Sequence, residues 1–231
     1  MNALLLSAGE ATRLKPLSFG TPKCLFPLFG NDPILKYWID ILTSVGIEEM
    51  YINVFWLKYR VIDYLQTLNL KNITWHEQDY LEPVGEVLSK LRYDLEEKFL
   101  IVNSDTYIEK QYVKKFVNEA KIDSRKPICL AIEKRKSVLG KGKVILSPDR
   151  QTVVDFVEKP NMDEPGYVWA GMALMSGKVI SNYSTKELIQ KELSDIFPDF
   201  KGGMSALNVG CAYDIGSSLK SYCETYLYLN K

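Results

Sequence analysis

Ala3-Leu4-Leu5-Leu6 is a short, wholly apolar run that stops at Ser7-Ala8-Gly9-Glu10-Ala11-Thr12-Arg13-Leu14. An apolar run of that length, ended by small residues, reads as a strand buried on both faces that enters a tight turn. Small residues after a strand let backbone N–H groups approach phosphate oxygens, and the start of a helix adds positive potential there. Thr12 offers a hydroxyl and Arg13 a guanidinium fork to the oxygens of a polyphosphate.

Outward from this stretch, residues 33–45 carry Ile34, Leu35, Trp38, Ile41, Leu42 and Val45 at helical spacing, opened by Pro33 and closed at Gly46. Residues 50–55 read as a second strand, 59–68 as a second amphipathic helix and 73–76 as a short strand. A polar loop then leads to Gly85 and a helix through Leu91, and residues 99–103 form another buried strand that breaks at Ser104-Asp105. Strand and helix in alternation imply a Rossmann-like α/β architecture, a mostly parallel sheet flanked by helices. Ligands of such sheets lie at the carboxyl ends of the strands, so the breaks at Ser7 to Gly9 and at Ser104-Asp105 are expected to face one crevice.

The second half changes character. Residues 128–133, 143–146, 153–157 and 169–175 read as strands separated by turn-rich loops, an antiparallel extension sharing one core with the first half. A closing helix, residues 218–229, carries Tyr222, Tyr226 and Leu229 on one face, suited to the core or to a subunit contact. Nothing resembles a linker or a repeat, so residues 1–231 are expected to form one domain with two lobes.

Lys plus Arg and Asp plus Glu both number 29, for a formal charge of zero. No global basic field exists to recruit nucleic acid or an anionic membrane, so an anionic ligand needs a local cluster. Cys24, Cys129, Cys211 and Cys223 lack metal-ligand spacing, and His76 is the one histidine. They read as reduced, mostly buried thiols of a cytosolic protein. Residues 1–7 lack the charged flank of a signal peptide, and no apolar run approaches the ~18 residues of a membrane span; the expectation is cytoplasmic.

Five further groups carry chemistry. In Thr21-Pro22-Lys23 the proline stiffens the loop, and Lys23 brings a second cation back ten residues after Arg13. Asp105, ending a buried strand, suits Mg²⁺, although an aspartate there also serves as a turn former or cap. Asp214, in Tyr213-Asp214-Ile215-Gly216, is a second carboxylate. Glu158-Lys159-Pro160 pairs an acid with a base able to bind sugar hydroxyls and a phosphate, or makes an ordinary solvated turn. Val168-Trp169-Ala170-Gly171 sets a close-approach glycine inside a strand.

Taken in order, Thr12-Arg13-Leu14, Pro16-Leu17, Pro22-Lys23, Asp105, Glu158-Lys159-Pro160, Ala170-Gly171 and Asp214-Ile215-Gly216 resemble the sugar-1-phosphate nucleotidylyltransferase family, across residues 1 to about 225. The resemblance is to short members without a C-terminal β-helix. It implies a GT-A-like nucleotidyltransferase fold, with a nucleotide-binding lobe over about 1–125 and an antiparallel acceptor-binding lobe over about 126–231. It further implies transfer of a nucleoside monophosphate from an NTP to a hexose or heptose 1-phosphate, releasing pyrophosphate. Ser7, Ala8, Gly9, Glu10, Ala11 and Thr12 would then cradle the nucleotide and Gly85 would pack against its base. Arg13 and Lys23 would be catalytic, and Asp105 and Asp214 would hold Mg²⁺. Gly142, Glu158, Lys159 and Gly171 would bind the acceptor.

Four departures from the family pattern stand out. Ala11 and Ser104 replace glycines, Trp169 replaces an asparagine that often touches the sugar, and Pro83-Val84-Gly85-Glu86 is a loose version of Leu-Gly-Thr-Ala beside the base. The alternative with the same fold is a cytidylyltransferase acting on phosphocholine or a phosphorylated amino acid. No nucleic acid or membrane partner is expected, and the closing helix leaves a homodimer open.

Overall fold

The computed structural model describes residues 1–95, 97–122 and 126–231. Its first elements are β1 (Asn2–Leu6), β2 (Pro27–Phe29), β3 (Asp32–Pro33), α1 (Ile34–Ser44), β4 (Met50–Val54), α2 (Lys58–Thr67), β5 (Ile73–Glu77) and α3 (Val84–Lys90). Then come β6 (Lys98–Asn103), β7 (Thr106–Ile108), α4 (Lys110–Ile122), β8 (Ile128–Arg135), β9 (Gly142–Leu146), β10 (Thr152–Glu158) and β11 (Gly166–Ser176). The chain finishes with α5 (Gly177–Ser181), α6 (Thr185–Leu188), α7 (Leu193–Asp199), β12 (Met204–Asn208), β13 (Ala212–Asp214) and α8 (Leu219–Leu229). These elements divide into two compact units that interleave along the sequence.

The first unit comprises Met1–Leu81, Ile101–Tyr107 and Tyr213–Lys231. β1 runs parallel to β4, with Ala3 opposite Met50 and Leu6 opposite Asn53, and β4 runs parallel to β5. Ala3, Leu4 and Leu5 are completely buried, as the apolar run demands. α1 buries Ile34, Leu35, Trp38, Ile41 and Leu42, its apolar stripe, at roughly 1.5–3 kcal/mol for each large side chain. Trp38 satisfies its one polar group by donating Nε1–H to the Thr106 carbonyl at 3.0 Å. Pro33, with extended backbone, stands just before the helix, and Gly46, in the left-handed region at φ 79°, follows it.

The second unit comprises Glu82–Leu100 and Ile108–Ala212. Its strands run in the order β11-β8-β12-β10-β9, and β9 also pairs with β11, so the five strands return on themselves. β10–β9, β11–β8 and β11–β9 are antiparallel, as expected. β12, to which the sequence reading gives no element, is parallel to β8, with Met204 opposite Ile128 and Asn208 opposite Ile132, and so adds a parallel pair to the antiparallel ones. A parallel neighbour needs a long return connection, and α5, α6 and α7 supply one between β11 and β12. The sequence reading assigned no element to these helices or to α4, although Val113, Phe116, Val117 and Ala120 of α4 have helical spacing and are buried.

None of the four cysteines is in a disulfide; Cys24 and Cys129 are buried whereas Cys211 and Cys223 are exposed, so half rather than most are sequestered. Among the described residues no helix is long and apolar enough to cross a membrane.

Candidate active site

The breaks after β1 and β6 meet in the first unit. Ser7 Oγ donates to Ser104 Oγ at 2.9 Å, and Ser104 Oγ donates to the Leu6 carbonyl at 2.8 Å. The Ser7 amide donates to Asn53 Oδ1 on β4 at 2.7 Å, and the Ser104 amide donates to the Leu6 carbonyl at 3.2 Å. Ser104 therefore uses its hydroxyl to tie the two strand ends together.

After this anchor the chain makes a turn through Ala8 to Arg13. Ala11 takes a left-handed backbone, φ 52° and ψ 40°, and opens a 3₁₀ turn over Thr12–Leu14. A Cβ is disfavoured in that conformation, so Ala11 carries strain that a glycine there would not. Among the described residues, the amides of residues 8–13 donate no hydrogen bond; the first amide spent is that of Leu14, to the Ala11 carbonyl at 2.9 Å. Consecutive uncommitted N–H groups after a strand are the donor array that an anion needs. Glu10, Thr12 and Arg13 are exposed, and Ser7 and Ala8 are buried.

Lys23 lies under this turn. It begins a 3₁₀ turn, Lys23–Leu25, after Pro22, and a Cβ built on Gly9 would be 3.8 Å from its Nζ. Lys23 Nζ is ion-paired with Asp105 Oδ2. Tyr213-Asp214 of β13 pairs with the strand that follows Asp105, and the Ile215 amide donates to the Asp105 carbonyl at 3.0 Å. Neighbouring donors hold Asp214 in place. The Gly216 amide reaches its Oδ1 at 2.9 Å, and the Ser217 and Ser221 hydroxyls reach its carbonyl at 3.0 and 2.6 Å.

Gly216 closes the cluster. A Cβ there would lie 2.6 Å from Asp105 Oδ2, 2.7 Å from Lys23 Nζ and 2.8 Å from Lys23 Cδ, so no side chain fits without displacing both. Burial works to lower the Lys23 pKa, but the charge and hydrogen bond of Asp105, with the charge of Asp214 behind them, outweigh it and raise the value above 10.5. Burial pushes the neighbouring Cys24 thiol up to about 12, against the pull of the Lys23 charge, so it is inert as a thiolate near neutral pH.

Lys23, Asp105 and Asp214 are thus brought together beneath Gly9. Arg13, expected to join them, makes no hydrogen bond or ion pair among the described residues and points its charge to solvent. Gln78, after β5, went unnoticed in the sequence. It is 1% exposed, and neither Nε2 nor Oε1 of its carboxamide has a partner. A buried amide with both ends unspent is rare enough to mark a ligand contact, and a lone glutamine in a loop gives no sequence signal for it.

In the second unit, Glu158 pairs with Gly142 across β10–β9 and contacts Lys159 Nζ at 3.4 Å. Lys159 has φ 47° at the strand end, and the Lys159 amide donates to the Lys141 carbonyl at 2.9 Å. Gly171 sits at φ 80° inside the register shift of β11 between Trp169 and Ala173. Gly85 is packed against backbone: its amide donates to the Lys191 carbonyl at 2.8 Å, and a Cβ would clash with the carbonyls of Leu188 and Lys191. Its smallness lets α3 seat on α6.

A divalent ion is testable against the donors present. Among the described residues, no group of three or more His, Cys, Asp or Glu side chains comes together. Asp105 and Asp214 are a two-carboxylate, oxygen-only set. Mg²⁺ suits it, because that ion usually takes one or two carboxylates and completes its shell with water and substrate phosphates.

A mixed α/β fold with these strand ends is that of the GT-A-like nucleotidyltransferases. The structure of HddC from Yersinia pseudotuberculosis superposes with a TM-score of 0.80 at 24% identity, covering 99% of each chain. The chain belongs to the nucleotidyl transferase family, whose pattern it matches over residues 2–225. Curated relatives include the bifunctional protein GlmU of Methanocaldococcus jannaschii, 25% identical over 84% of this chain and 45% of that protein. Another is the mannose-1-phosphate guanyltransferase of Saccharomyces cerevisiae, 28% identical over 100% of this chain and 65% of that protein. The chain spans about half to two thirds of the length of these relatives.

Proposed function

We propose that this chain transfers a nucleoside monophosphate from an NTP to a sugar 1-phosphate and releases pyrophosphate. The observation that carries this reading is the row of uncommitted amides at residues 8–13 lying over the Lys23 ammonium, with two carboxylates behind it. Family membership and the relative described as a mannose-1-phosphate guanyltransferase support the same reaction class.

The reaction forms one P–O bond and breaks another. An acceptor phosphate oxygen attacks the α-phosphorus in line, and the bond to the β-phosphate oxygen breaks with its electron pair leaving on pyrophosphate. The nucleophile is already an anion, so no general base is required and positioning with charge neutralisation does the work. The amides of Ala8, Gly9, Glu10, Ala11 and Thr12, with the Ser7 anchor beneath them, receive the triphosphate. Arg13, free to swing from solvent, takes its outer phosphates. Lys23 neutralises the charge that builds where the α-phosphate and the attacking phosphate converge. Asp105 and Asp214 hold Mg²⁺, which when bound supplies positive charge to the phosphate oxygens. Gln78 offers one donor and one acceptor to a base edge, and Gly85 seats the segment beside the base. Glu158 and Lys159, with the backbone at Gly142 and Gly171, bind the acceptor's hydroxyls and phosphate. Residues 1–231 act as one catalytic domain, and the reaction is cytoplasmic, where NTPs are made and kept.

Each of four NTPs set against a panel of sugar 1-phosphates with Mg²⁺, scored by pyrophosphate release, tests this. Release that needs both a particular NTP and a sugar phosphate is expected, with Lys23→Ala losing about 10²–10³ in rate. Release from NTP alone, or only with phosphocholine or a phosphorylated amino acid, overturns the reading.

A further inference from the structure

The strand register of the second unit sets groups of different chemistry side by side on one face. β10 and β9 pair Glu158 with Gly142, and β11 and β9 pair Tyr167 with Val144 and Val168 with Lys143. Carried one residue further, the latter register sets Trp169 opposite Gly142. Directly opposed residues of antiparallel strands share a face, so Glu158, Gly142 and Trp169 form one row across three strands. Two strand spacings separate the outer pair, about 9–10 Å, which is the width of a sugar ring with its substituents.

The floor and far wall of this row are aromatic. Gly142 has no side chain, and the Phe156 ring fills that place: its Cζ is 2.5 Å and Glu158 Oε2 3.3 Å from where a Cβ would stand. Phe156 packs edge-on to Phe197 with centroids 5.2 Å apart, and Phe197 packs edge-on to Trp169 at 5.3 Å. Phe156 and Phe197 are buried, whereas Trp169 keeps part of its surface open. Its single donor is already used, because Nε1–H bonds the Met172 carbonyl at 3.1 Å across the bulge that Gly171 makes. The wall that Trp169 presents opposite the Glu158 carboxylate has therefore no hydrogen bond to give.

We propose that Trp169 is a specificity-determining residue, selecting a sugar 1-phosphate that turns a deoxy or methyl edge, not a hydroxyl, toward it. This rests on the reaction proposed above and names its acceptor class. A hydroxyl pressed against the indole loses water without gaining a partner, whereas a C–H edge loses nothing. A pocket of this kind discriminates against an added hydroxyl by about 10- to 100-fold.

The test uses the full chain with ATP, CTP, GTP and UTP, and hexose 1-phosphates matched to derivatives lacking one hydroxyl at the 2, 3, 4 or 6 position. At one position the deoxy acceptor is expected to exceed its hydroxylated parent by about tenfold or more in kcat/KM. Trp169→Asn, which puts a donor and an acceptor in the wall, is expected to shrink that ratio at least fivefold, while Trp169→Phe keeps it. Thermal unfolding verifies both variants, and if Trp169→Asn does not fold, the wild-type ratios decide. Hydroxylated parents equal to or better than every deoxy partner, or a ratio unchanged in folded Trp169→Asn, overturn the proposal while leaving the reaction intact. Pyrophosphate release with no sugar phosphate at all overturns the reaction, and the acceptor class with it.

Discussion

Replacing Gly216 by alanine separates damage to the site from damage to the fold. The new Cβ would sit 2.6 Å from Asp105 Oδ2, 2.7 Å from Lys23 Nζ and 2.8 Å from Lys23 Cδ. An ordinary contact begins near 3.4 Å, so the carboxylate and the ammonium must each retreat by about 0.7–0.8 Å. Two of the three atoms end flexible side chains and can move, which limits the loss of stability to about 1 kcal/mol, or 2–4 °C in Tm for a chain of this size. Chemistry is less forgiving. A misplacement near 1 Å costs about 10²-fold, close to 2.7 kcal/mol of transition-state stabilisation. Pyrophosphate release measured beside thermal unfolding should show kcat/KM down about a hundredfold with Tm nearly unchanged. Full activity in folded Gly216→Ala would remove the Lys23–Asp105 pair from the reacting centre, and a Tm loss above about 10 °C would show that the glycine serves the fold instead.

Gly85→Ala should behave in the opposite way. Its Cβ meets the backbone carbonyls of Leu188 and Lys191, which cannot swing aside, so a loss of about 3 kcal/mol by urea unfolding is expected, and a change below 0.5 kcal/mol would contradict the packing. Ala11→Gly relieves a left-handed alanine at φ 52° and should raise stability by about 0.5–1 kcal/mol despite the added chain entropy; a clear loss would refute the strain. Alkylation at pH 8 should modify Cys211 and Cys223 in the native protein and spare Cys24, which is buried with its pKa pushed up to about 12, as peptide mass mapping would show. The raised Lys23 pKa fixes a sign: its stabilisation is complete below the unfolded value of 10.5 and is lost as pH climbs through the higher folded value. The stability gap between wild type and Lys23→Met should therefore be flat from about pH 7 to 10.5 and shrink above; a gap that narrows on acidification near neutral pH would contradict it.

Much of the fold was legible because its signals are local. Ala3 to Leu6, the helical stripe from Ile34 to Leu42 opened by Pro33, and the apolar run of β6 each declare themselves within a few residues. β12 did not. Met204–Asn208 is only five residues long, and nothing in them says that they slot beside β8 and run parallel to it. That placement depends on the return path through α5 to α7, which the sequence reading left unassigned.

The site divides along the same line. The proposed chemistry was read from residue types alone: a small-residue turn, Lys23, Asp105 and Asp214 are the kinds of group that phosphate and Mg²⁺ binding would need. Which of them meet depends on positions far apart in the chain, and that only the tertiary structure decided. It set Lys23 against Asp105 across a sequence separation of 82, left Arg13 in solvent, and gave Gly216 and Gln78 meaning through what surrounds them. A glycine excluded by two side chains and a buried amide without partners are properties of packing, and packing is not written in any window of sequence.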